Sequence, residues 1–383
     1  MIYLDHAAAT PLDERVLAAM QPFFSEQFYN PSSPYQAAKA VRQAVDNARF
    51  RVAHWLGAKT AEIVFTAGAT ESINLAIHGI MQRWPGSNVV VSATEHEAVL
   101  AAAQRYPHTL LPVTANGTVD LAELKKVIDD KTVLVSIGYA NNEIGTIQPL
   151  KQVAELLQEI RRLRQLRNNS LPLYLHTDAS QAACYLDLHA SRLGVDLLTL
   201  NGGKMYGPKQ TGILWVKGGI VLEPLIAGGG QESGVRSGTE NVAGIIGFAT
   251  ALDIAQGERK EAVAKIGAMR DELQDKLQTA FPTLVVNGNQ KKRLPNNLNV
   301  SWPGIDGERL LMQLDELGVM ASTGSACAAN KQTASHVLQA IGLNESTIQG
   351  SLRLTVGRTT TPEQINEAAN IIVRTVQNAA RQA

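Results

Sequence analysis

At 383 residues and a formal net charge of zero, the chain exceeds the size at which one hydrophobic core stops growing, so two domains are expected. Balanced charge, the lack of a polybasic tract and the lack of an apolar run of membrane-spanning length argue against nucleic acid or a membrane as partner. Two cysteines exclude a disulfide framework, and a start, MIYLDHAAATPLDERV, without a signal peptide's basic and apolar regions points to the cytoplasm.

After an N-terminal segment with an NPSSP turn, helix-period apolar residues run over 35–56. Strands and helices then alternate: strand 62–66, helix 69–84, strand 88–92, helix 97–105, strand 109–113 and helix 120–128, whose Asp120 and Glu123 are spaced as a capping box. Strand 132–137, the long helix 150–167, strand 173–177 and strand 195–200 follow. The cluster Arg161, Arg162, Arg164 and Arg167 is expected on the solvated end of its helix. Such alternation predicts parallel βαβ units with right-handed crossovers, covered on both faces. Beyond Gly212 the pattern predicts a hairpin, 213–216 with 221–226, then the glycine run 228–230 and a long helical region over about 240–281. A second unit brings strands 284–287, 297–301, 319–322 and 352–356, a helix near 308–317, and a final helix signalled by Thr361, Pro362 and Gln364.

Asp178 and Lys204 stand at the carboxyl ends of successive predicted strands, the edge where open α/β sheets bind ligands. A carboxylate there can keep a pyridine nitrogen protonated and a lysine can condense with an aldehyde, which together suit pyridoxal phosphate. A helix-capping Asp and a solvated Lys explain the same stretch, which alone leaves both readings open. In TAGATES, Gly68 turns the chain so that the free amides opening the next helix can meet a phosphate, although glycine is ordinary at a strand-to-helix turn. The GxGxxG spacing of a dinucleotide site is absent. His96, Asn142 and Gln181 fall at further strand ends, where an imidazole can stack on a ring or cap a helix and the amides can hydrogen-bond. Cys184 lies between alanines at an expected helix start and reads as a small buried hydrophobe. Cys327, in ASTGSACAANKQTASH, is set among small polar residues too flexible for a core and reads as a thiol on a loop. Arg353 is a charge inside an alternating strand, either solvated or able to bind a carboxylate through two N–H groups.

The segments YLDHAAATP, GATESINLAI, TEHEAV, NNEIG, HTDASQ, GGKMYGPK, GGGQESGVRSGTENV, GSAC and LRLTVGR occur in the order found in cysteine desulfurases of the NifS/IscS type, which the chain resembles from its first residues to near its end. The resemblance implies an α/β protein of the fold type I pyridoxal-phosphate class. A large domain, residues 13–260, would hold a mainly parallel sheet between helices, and a small α+β domain, residues 1–12 and 261–383, would carry the cysteine loop. It further implies a homodimer that converts L-cysteine to L-alanine and hands the sulfur on as a persulfide, for iron-sulfur cluster or thio-cofactor synthesis. Carried over, Lys204 would bind the cofactor aldehyde and move protons, Asp178 would pair with the pyridine nitrogen, Gln181 and Asn142 would contact the ring oxygen, and His96 would stack on the ring. Ala69, Thr70 and Thr239 of the partner subunit would bind phosphate, Arg353, with Asn142, would bind the substrate, and Cys327 would attack its sulfur. No metal is called for.

Two departures stand out. Where the family has Ser or Thr two residues before a His-Lys pair, this chain reads Asn201, Gly202, Gly203, Lys204, so both usual contacts at positions 201 and 203 are altered and weaker cofactor retention is expected. The chain also stops soon after its last predicted helix, where members that dock an iron-sulfur scaffold carry a longer tail, which leaves the sulfur acceptor open. A selenocysteine or other cysteine lyase of the same fold, and a non-catalytic paralogue acting as a binding partner, are the alternative readings.

Overall fold

The computed structural model describes residues 1–324 and 334–382. In chain order the strands are β1 (Ile2–Tyr3), β2 (Ile63–Thr66), β3 (Asn88–Ser92), β4 (His108–Leu111), β5 (Thr132–Ser136), β6 (Tyr174–Asp178), β7 (Leu197–Asn201), β8 (Gly212–Val216), β9 (Val285–Val286), β10 (Asn297–Ser301), β11 (Val319–Met320) and β12 (Ser351–Thr355). The main sheet has the order β2-β8-β7-β6-β5-β3-β4, and β8 alone runs against the other six.

Strand side chains point alternately to the two faces. Val90, Val135 and Leu198 enter one apolar cluster, with Val45 and Val52 of the helix Gln36–Leu56, while Val89, Val91, Leu197 and Leu214 enter another with Ile73 and Ile77 of the helix Ala69–Arg83. Both faces are buried, which is why these strands read as unbroken apolar runs. Helix Gln36–Leu56 buries Ala38, Val41, Val45, Ala48, Val52 and Leu56 on one stripe and stops at Gly57, whose φ is 61°.

The structure corrects three expectations and refines a fourth, the helical region 240–281. Residues 221–226 form no strand beyond one bridge between Ile226 and Arg236, because β8 lies between β2 and β7 with no free edge, and Pro224 has no N–H to give a ladder. The region 240–281 is two helices, Val242–Gly257 and Arg259–Ala280, joined at Glu258 with φ −93° and ψ 2°. The first is buried almost all round and packs on Gln36–Leu56, whereas the second buries only Ile266, Met269, Leu273 and Leu277, so different neighbours impose the turn. Cys184 is buried as expected, on a run of turns rather than a helix start. Of the arginine cluster, Arg164 is buried and donates to the carbonyls of Asp129, Thr132 and Pro172, and Arg161 pairs with Asp196. Three carbonyls at loop ends satisfy a guanidinium that would be costly to bury alone.

A second, antiparallel sheet has the order β12-β10-β9, and β1 pairs with β11 in parallel. The strip that follows β1 lies between β11 and β12: the Leu4 N–H donates to Met320 and the Leu4 carbonyl accepts from Thr355 N–H at 2.7 Å.

Candidate active site

A cleft of about 240 Å³ opens where the parallel strands of the main sheet end. Ala69, Thr70, His96, Asn142, Asp178, Gln181, Asn201, Lys204 and Arg353 all line it. Gly203 and Thr239 are not among the lining residues, and Cys327 lies outside the described residues. On either side of that segment, Gly324 and Ser335 both meet Glu143, next to Asn142: Ser335 Oγ donates to Glu143 Oε2 at 2.5 Å, and a Cβ added at Gly324 would lie 3.4 Å from the same oxygen.

Each side chain is placed by a local rule. After β2, Gly68 takes φ 132° with no atom within 4 Å of where a Cβ would stand. As N-cap of helix Ala69–Arg83 it supplies no side-chain hydrogen bond, so the first amides of a 15-residue helix keep their donors. His96 caps the helix Glu97–Ala103: its Nδ1 accepts from Ala98 N–H at 3.1 Å, which puts the ring proton on Nε2. Asp178 Oδ1 accepts from the Ser180 N–H at 2.9 Å and hydroxyl at 2.6 Å. His96 thus caps a helix and Asp178 braces a turn, no helix following it before Ala190, and both also line the cleft. Asn201 Oδ1 accepts from Gly203 N–H at 3.1 Å, capping the 3₁₀ turn that carries Lys204 and keeping its Nδ2 donor for other use.

Lys204 Nζ donates to the carbonyls of Ala7 at 2.8 Å and Ala8 at 2.6 Å, and Gln181 Nε2 donates to Ala7 O at 3.0 Å. Arg353, buried on β12, donates to Asp5 Oδ1 at 2.6 Å and to the Asn142 carbonyl at 3.3 Å. Together a primary amine, a carboxylate, helix-start amides and a guanidinium surround one cleft, a set that fits a phosphorylated pyridine aldehyde and an amino-acid carboxylate.

Two titratable groups below the rim are perturbed. Burial pushes the Glu95 carboxyl up to about 8, with the Asp178 charge acting in the same direction and the Gly138 N–H, which it accepts at 2.7 Å, opposing. Burial lowers His176 to about 4, against the charge of Asp178; its nitrogens meet Ser136 Oγ at 2.8 Å and Thr199 Oγ1 at 3.0 Å. The Cys184 thiol is pushed up to about 11 by burial, which leaves it unreactive. Sequence reading passed over Glu95 and the strip Asp5–Ala8. Glu95 stands beside His96 in the quoted TEHEAV and was within reach of a motif argument, whereas the strip contributes mainly backbone carbonyls, which no side-chain motif reveals.

Residues 2–367 match the family described as Aminotransferase class-V. The cysteine desulfurase IscS of Dictyoglomus turgidum is 39% identical, covering 98% of this chain and 94% of its own. That of Methanosarcina thermophila is 41% identical, with 98% and 92% covered. Among solved structures, a NifS-like protein superposes with a TM-score of 0.89 at 32% identity, over 98% of this chain and 99% of its own. One described as SspA in complex with cysteine gives 0.79 at 32%, over 94% and 100%.

Proposed function

The chain belongs to the aminotransferase class V family, among the cysteine desulfurases of the NifS/IscS type, a pyridoxal-phosphate-dependent group of fold type I; on that footing we propose that it moves sulfur from L-cysteine to Cys327 and releases L-alanine. The observation that carries this reading is the meeting of Lys204, Asp178 and Arg353 in one cleft. When bound, pyridoxal phosphate supplies an electrophilic aldehyde and a protonated ring that draws electron density from the substrate α carbon. Asp178 holds the proton at the ring nitrogen, His96 stacks on the ring, and Gln181 and Asn142 serve its oxygen. The amides of Ala69 and Thr70 bind the phosphate with Thr239 of the partner subunit, and Asn201 adds its Nδ2 donor. Arg353 orients the substrate carboxylate, and Lys204 Nζ moves protons at the substrate α carbon and at the β carbon that loses its sulfur. Attack by the Cys327 thiolate forms an S–S bond as the substrate C–S bond breaks, and the carbon takes a proton to become alanine. The cytoplasm, a homodimer and a sulfur-acceptor protein complete the proposal, which the family's chemistry supports.

Alanine and persulfide formation from L-cysteine, measured with cofactor-loaded wild type, Cys327→Ala and Lys204→Ala, tests it. Wild type makes both products, Cys327→Ala makes neither, and Lys204→Ala also loses the cofactor's visible absorbance. Alanine formed without Cys327 makes the protein a lyase instead, and a wild type with no cofactor absorbance and no alanine makes it a non-catalytic relative.

A further inference from the structure

Arg353 is 1% exposed, and no fully buried side chain among the described residues is larger. A guanidinium taken from water is destabilising unless its N–H groups find acceptors. Here Nη2 meets Asp5 Oδ1 at 2.6 Å and Nη1 meets the Asn142 carbonyl at 3.3 Å, while Nε is buried with no partner. The planar fork is thus held through Nη1 and Nη2 and left without a partner at Nε, in a side chain that lines the cleft.

We propose that Asp5 is a positioning residue, fixing the Arg353 guanidinium so that its unpartnered Nε edge takes the α-carboxylate of the substrate. The inference rests on the reading of Arg353 as the substrate clamp and extends it. An arginine pairs with a carboxylate through two neighbouring N–H groups in one plane, so the plane's orientation decides whether both bonds form. Asp5 is suited to set that plane because its own backbone is fixed. It bridges Thr355, two residues along β12 from Arg353, and its carbonyl accepts from Tyr3 Oη at 2.9 Å. Two and three residues on, the same strip holds Lys204 Nζ through Ala7 and Ala8. One short run of chain therefore touches both the site's carboxylate-binding end and its amine end. Asp5 makes no contact with the reacting atoms in this scheme and acts through Arg353.

The test uses the cofactor-loaded enzyme and two ligands that share an amine and a thiol: L-cysteine, read by KM and kcat, and cysteamine, which lacks the carboxylate, read by its inhibition constant. For Asp5→Ala the KM for L-cysteine rises about tenfold, the worth of one charge-assisted hydrogen bond, while kcat and cysteamine inhibition stay within about twofold. Asp5→Asn, which keeps an acceptor oxygen of the same shape, recovers part of the loss. Equal weakening of both ligands, or of neither, overturns the proposal, since a merely structural residue does not separate them. If Asp5→Ala fails to fold, Asp5→Ser is read in the same way; failure of both overturns it too, by making Asp5 a stability residue. Arg353→Lys separates the levels: if it leaves the KM for L-cysteine unchanged, the clamp reading fails, and if it raises the KM while Asp5→Ala does not, only the role of Asp5 fails.

Discussion

Gly203 sits beside Lys204 with space around it. A Cβ there would lie 3.5 Å from Lys209 Cγ and 3.6 Å from Asn201 Oδ1, both ordinary contact distances. The family's imidazole is therefore absent by sequence and not shut out near the backbone. Gly203→His is expected to slow cofactor loss on dialysis several-fold if position 203 governs retention, and an unchanged loss rate removes that role. Glu95 makes a second prediction. Its ordinary value of 4.5 is raised to about 8 in the fold, so over that window the folded state keeps a proton that the unfolded chain gives up, and stability falls as pH rises. His6 and His176 act in the opposite sense: burial lowers each from 6.5 to about 4, so stability falls as pH drops through that range. In cofactor-free protein, Glu95→Gln should flatten the decline in Tm between about pH 5 and 8 and leave the acid limb intact. Parallel profiles for the two proteins would exclude Glu95 as the alkaline group.

At the scale of elements, Gly57 shows how one position ends a helix. With φ at 61° and a Cβ only 2.1 Å from His189 Nε2, Gly57→Ala has to strain the backbone and displace an imidazole. It should cost roughly 1–3 kcal/mol in denaturant unfolding, and a loss below about 0.5 kcal/mol would mean that His189 moves freely. The elements themselves were largely legible. Residues 88–92 and 297–301 occupy the strands expected of them, because buried apolar runs and turn residues are local signals. What was not legible depended on neighbours. The reversed direction of β8, the missing partner strand at 221–226 and the turn at Glu258 are each decided by what packs alongside, which no window of sequence contains. The site divides in the same way. Asp178 and Lys204 announce themselves at strand ends, whereas Asp5 acquires meaning only from Arg353, 348 residues away.

For the whole molecule, that separation has a consequence in time. A ribosome adding roughly 5–20 residues per second needs on the order of 20 to 70 s to pass from Asp5 to Arg353. Throughout that interval the strip can meet Gln181 and Lys204 but lacks its two strand neighbours, since β11 and β12 lie more than 300 residues further along the chain. The main sheet, complete by residue 216, can form early, but the cleft it borders cannot close. A nascent chain is thereby kept from handling sulfur until β12 has been made.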